Sequence, residues 1–102
     1  MKIPKTLNIF SVNWKVIMEK DYFINSDIPD MLLCGDCDFN NKIIRIRKSQ
    51  DSIELQTLLY EVIHTVCFEL GLYDEEHDEK FIDRLALGLS DVLIRNKIIK
   101  EN

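Results

Sequence analysis

Residues 51–71 read DSIELQTLLYEVIHTVCFELG, and the spacing of their apolar side chains decides the architecture. Leu55, Leu58, Leu59, Val62, Ile63, Val66, Cys67 and Leu70 advance in alternating long and short steps. A helix with one broad buried stripe needs that period. Asp51 precedes Glu54 at capping-box spacing. Gly71 stands where a left-handed residue would close the helix. The pattern predicts a helix over about 52–70.

Working outward, a second helix is expected at about 75–98, with Phe81, Ile82, Leu85, Ala86, Leu89, Val92 and Leu93 on its apolar side. The acidic run Asp74–Glu79 would suit its N-terminus, where the helix dipole favours negative charge. Upstream the period changes to two. Leu7 and Ile9 alternate within Lys5–Phe10, and Val12, Trp14, Val16 and Met18 share one face of a second strand. Residues 20–30 read as a loop. Leu32–Phe39 and Lys42–Lys48 flank Asn40-Asn41, a pair suited to a two-residue hairpin turn because Asn tolerates positive φ. The expected fold is α+β, an antiparallel-rich sheet of three or four strands packed on two helices, in a single domain spanning 1–102.

Charge and composition narrow the function classes. The net charge is −5, whereas a nucleic-acid-binding domain draws most of its affinity from basic side chains on phosphate. The basic residues Lys42, Arg45, Arg47 and Lys48 alternate and read as the solvated face of a strand. The apolar runs are too short to span a membrane, and the first residues lack the apolar core of a signal peptide. A cytoplasmic protein is expected, its three cysteines reduced.

The first helix carries a second face. Thr57, Tyr60, Glu61, His64 and Phe68 project away from the Leu/Val stripe. Zincins place H-E-x-x-H on a helix, where two histidines hold zinc and the glutamate activates the metal-bound water. Here Tyr60-Glu61-Val62-Ile63-His64 keeps the glutamate and the second histidine, and Tyr60 stands at the first. With TLLYEVIHTVCFELGL, HDEKFIDRLALGLSDVLIRN and the hairpin LLCGDCDFNNKIIRIRK, the chain resembles small phage and prophage zinc-peptidase-like proteins and compact gluzincins. In those families a strand hairpin precedes the motif helix and a second helix supplies an acidic third ligand. By position the resemblance implies Glu61 as general base and His64 as a zinc ligand. It implies Glu79 as the first choice of third ligand, then Asp78, with His77 able to reach inward.

A phenol ordinarily titrates near 10, so Tyr60 would have to lose a proton to bind zinc well. The expectation is therefore a degenerate zinc-metallopeptidase-like protein, non-catalytic, that binds a protein or peptide partner. A phage origin would direct it at the host or its defences. Two alternatives stand beside it. One is an active zinc metallopeptidase with Glu61 as base. The other is an acidic inhibitor or nucleic-acid mimic using the Asp74–Glu79 run. Cys34-Gly35-Asp36-Cys37 and His64-Thr65-Val66-Cys67 offer a rival four-ligand zinc site. A regular strand would point Cys34 and Cys37 to opposite faces, and buried cysteines otherwise behave as small apolar residues.

Overall fold

A computed structural model of the chain describes residues 3–20, 23–24, 32–72 and 78–99. The strands are β1 (Thr6–Ile9), β2 (Val12–Glu19), β3 (Phe23–Ile24), β4 (Leu32–Leu33), β5 (Gly35–Asp38) and β6 (Ile43–Arg47), and the helices α1 (Asp51–Glu69) and α2 (Glu79–Arg95). The main sheet has the order β1-β2-β6-β5, and β3 pairs with β4 in a separate ribbon. The α+β class is as expected, but the sheet is mixed: β1–β2 and β5–β6 are antiparallel, whereas β2 and β6 run parallel. Two hairpins are thus joined side by side, and the second returns in the direction of the strand it meets.

The period-2 alternation explains the core. In register, Val16 faces Ile44, which faces Cys37, and Met18 faces Ile46, which faces Gly35. Trp14, Val16, Ile44 and Ile46 are buried with Ile9 and Leu58 of α1. The opposite face carries Arg45 against Asp36, paired directly across β5–β6. α1 lies over β5 and β6, and α2 packs on α1. Ile82, Ala86 and Ser90 are the buried side chains of α2.

Turn chemistry departs from the expectation in the second hairpin. Residues 39–42 connect β5 to β6, two more than an Asn40-Asn41 turn requires. The side chain of Asp38 accepts hydrogen bonds from the amide of Asn41 at 3.0 Å and from Asn41 Nδ2 at 2.8 Å. That side-chain turn shifts the left-handed residue to Lys42, φ 57°. A two-residue turn occurs instead between β1 and β2, where Phe10 and Ser11 have φ of 51° and 68° and Asn8 Oδ1 accepts from the Ser11 amide at 3.0 Å.

The helix ends are built from side chains and backbone together. Gln50, not Asp51, is the N-cap of α1, and its side chain makes no capping bond. Glu54 still folds back, accepting from the Ser49 amide at 2.7 Å. At the other end Gly71 has φ 73°, its amide bonds to the Phe68 carbonyl and the Leu72 amide to the Cys67 carbonyl. This is the double-bonded left-handed cap expected at a C-terminal glycine. α2 starts at Glu79, later than the expected residue 75, because Asp78 caps it by accepting from the Phe81 amide at 3.0 Å. Residues 74–77, including His77, lie outside the described residues.

Candidate functional site

The Tyr60–His64 segment of α1 faces two neighbours at once. Toward the sheet, α1 sits close on the edge strand β5 because Gly35 has no side chain. A Cβ there would lie 2.8 Å from Thr57 Cγ2, 3.0 Å from the Arg45 carbonyl oxygen and 3.5 Å from Glu61 Cγ. That approach buries Glu61, which is only 6% exposed, against the sheet side of the helix, whereas His64 turns toward α2. Its partner is the inward side chain of β5: Cys37 Sγ donates to Glu61 Oε2 at 2.9 Å. Thr65, fully buried, donates to the Glu61 carbonyl at 2.9 Å and lies 3.5 Å from Cys37 Sγ.

The electrostatics follow from that burial. Desolvation raises the Glu61 carboxyl to about 7, with Asp36 adding in the same direction and the Cys37 hydrogen bond opposing both. Burial, then the charge of Glu61, pushes the Cys37 thiol far up. Cys37 is therefore a protonated donor at neutral pH and not a nucleophile, while Glu61 is poised between its two forms.

Toward α2, His64 Nε2 lies 3.6 Å from Glu79 Oε2. The His64 side chain is 13% exposed and that of Glu79 66%. The Tyr60 ring stands edge-on to the imidazole, centroids 4.6 Å apart at 71°. Burial shifts the Glu79 carboxyl upward. The structure thus gathers Tyr60, His64 and Glu79, the expected first choice of acidic residue, and sets Glu61 around the helix against β5.

Other candidates go elsewhere. The carboxylate of Asp78 serves as the α2 cap. Phe68 stacks on Phe39 at 4.5 Å, and Trp14 is completely buried with Phe39 edge-on at 5.8 Å. Cys34 is exposed just outside β5, while Cys37 faces Glu61. Among the described residues no three His, Cys, Asp or Glu side chains converge as metal ligands. The basic cluster is also engaged: Arg45 Nε donates to Asp36 Oδ1 at 2.8 Å with a second bond beside it. Lys42 Nζ lies 4.0 Å from Glu69 and 5.3 Å above the Trp14 ring.

A catalytic zinc needs three good donors and an open position. His64 Nε2 and Glu79 Oε2 are two candidates 3.6 Å apart, and the Tyr60 ring beside the imidazole brings a phenol, a poorer donor than imidazole, thiolate or carboxylate. This set does not fit a catalytic zinc. Sequence reasoning missed the partners of Glu61, namely Cys37, Thr65 and the gap at Gly35. The one available signal was that Gly35 and Cys37, two apart on a strand, must share its helix-facing side.

No family model, curated protein or solved structure matches the chain. Among the described residues no helix is long and apolar enough to cross a membrane.

Proposed function

We propose that the chain is a zincin-like protein whose metal site has become a protein-only contact, and that it acts in the cytoplasm by binding a protein or peptide rather than by hydrolysis. The observation that carries this reading is the His64–Glu79 contact with Tyr60 against the imidazole. An imidazole and a carboxylate from two helices meet at 3.6 Å, with an aromatic ring beside the imidazole where the motif has its first histidine. The burial of Glu61 beneath β5 supports it, because a general base must reach the water it activates. The edge strand suits a peptide partner. Among the described residues β5 pairs on one side only, and an extended segment can add to such an edge through backbone hydrogen bonds. A phage-encoded chain of this kind would meet its partner in the host.

Elemental analysis of the purified protein tests the reading. Zinc well below one per chain is the expected result, and Tyr60→His should create a zinc site that Glu79→Ala removes. Stoichiometric zinc in the unsubstituted protein, lost on His64→Ala, would overturn it in favour of a working peptidase. The raised carboxyl of Glu61 favours that second reading, since a base near neutrality suits proton transfer. Peptide cleavage abolished by Glu61→Gln would establish it.

A further inference from the structure

We propose that α2 is a self-association surface, through which two copies of this chain pack antiparallel and cross near Gly88. Only one side of α2 is covered. Ile82, Ala86 and Ser90 are buried, while Phe81, Leu85, Leu89 and Val92 are 54%, 39%, 40% and 50% exposed. At 100° per residue these four form one stripe adjoining the α1 contact. A stripe of this size and continuity marks an interaction surface better than scattered apolar residues do.

Gly88 lies within the same stripe. A Cβ added there would meet nothing within 4 Å, and its φ is not positive. Nothing within the described chain therefore requires glycine at a helix-interior position where alanine is the better helix former. What glycine permits on an apolar helix face is the close approach of a second helix.

The charges beside the stripe identify that helix as a second copy. Arg84 and Asp91 flank the stripe on one side, two turns apart and on either side of Gly88. In an antiparallel pair crossing near Gly88, each Arg84 comes opposite Asp91 of the partner subunit. In a parallel pair this flank would face the opposite flank of the partner helix, so Arg84 and Asp91 would find no such pairing. Among the described residues Asp91 holds Arg95 at 2.7 Å, so the acidic end of the flank is already oriented. α2 is 17 residues long, about 25 Å, and one helix pair of that length covers less than the roughly 800 Å² per partner of a standard stable interface. The dimer is therefore weak, with a Kd in the range of about 1 to 100 µM.

Sedimentation equilibrium over about 1 to 500 µM tests this. The expected result is a reversible monomer–dimer equilibrium. Gly88→Ala should raise Kd about tenfold while leaving the monomer at least as resistant to denaturant, a pairing of effects that misfolding would not produce. Arg84→Asp should weaken the dimer, and adding Asp91→Arg should restore it. A chain that stays monomeric throughout, as it would if the stripe receives a helix of another protein, overturns the proposal. So does Gly88→Ala associating as tightly as the original chain, or a charge exchange that fails to rescue.

Discussion

Replacing Glu61 by Gln should stabilise the protein at alkaline pH and leave it nearly unchanged at acid pH. The Glu61 carboxyl stands at about 7 in the folded chain against 4.5 for the ordinary group. Between these values the folded state holds a proton that the unfolded chain has released. The contribution of the protonated form is complete below the ordinary value and is lost as pH rises through about 7. A difference of about 2.5 pKa units, at about 1.4 kcal/mol each, amounts to about 3 kcal/mol. Gln keeps the size of the side chain and can still accept from Cys37 Sγ, but it carries no charge to desolvate. The difference in unfolding free energy between Glu61→Gln and the original chain should grow from near zero at about pH 4.5 to about 3 kcal/mol at about pH 8. Taking the difference cancels carboxylates elsewhere, such as Asp38, whose carboxyl is lowered by its bonds to Asn41. Urea unfolding followed by fluorescence suits the measurement, because Trp14 is the single tryptophan and is fully buried. A difference that is flat across this range would mean that Glu61 is solvated when folded, and the packing of α1 on β5 described above would be wrong.

Three further outcomes follow from the same packing. Cys37→Ala removes the hydrogen bond that opposes the desolvation of Glu61, so the carboxyl should titrate still higher, as carbon-detected NMR of Glu61 would register. Gly35→Ala forces a Cβ to within 2.8 Å of Thr57 Cγ2 and 3.0 Å of the backbone at Arg45; overpacking of this kind costs about 1–3 kcal/mol, seen as a lower urea midpoint with an unchanged slope. Asp78→Ala loses the α2 cap and should cost about 1 kcal/mol, while leaving the zinc content of a Tyr60→His background unaltered, because the Asp78 carboxylate serves that cap.

The parts of the fold legible in the sequence are those set by periodicity along one element. The Gly71 cap and most of the α1 stripe emerge from local spacing alone, as do the buried Trp14 and Val16 on β2, whereas Leu70 and Met18 of the same patterns are exposed. The parallel pairing of β2 with β6 does not, because it depends on how two hairpins dock and both strands alternate in the same way either way round. The β5–β6 turn was misjudged for a local reason: Asn40-Asn41 looks like a turn pair, but the Asp38 carboxylate captures Asn41 first. In the candidate site, Glu79 is named only through the resemblance, and the burial of Glu61 is not expected at all. Helical geometry puts Glu61 between the apolar stripe and the His64 face, and only the absence of a side chain at Gly35 decides that it turns under the sheet edge.

On the proposed zincin-like reading, these two contacts set what a substitution at Tyr60 can achieve. In a working zincin the glutamate and the histidines serve one water molecule. Here they serve two separate interfaces. Glu61 joins α1 to β5 through Cys37, and His64 joins α1 to α2 through Glu79. The first contact ties the helix to the sheet, and the second lies between the two helices. Replacing Tyr60 by histidine would supply a further candidate donor beside His64 but would not lift Glu61 from beneath β5. A Tyr60→His protein should therefore gain zinc affinity well before it gains peptide cleavage. Cleavage should require loosening the β5 contact as well, for example by adding Gly35→Ala, whose Cβ crowds Thr57 and Glu61 against β5. If Tyr60→His alone produced efficient hydrolysis, the buried Glu61 contact would have to open readily in solution, and the pH-dependent stabilisation by Glu61→Gln should then be small as well.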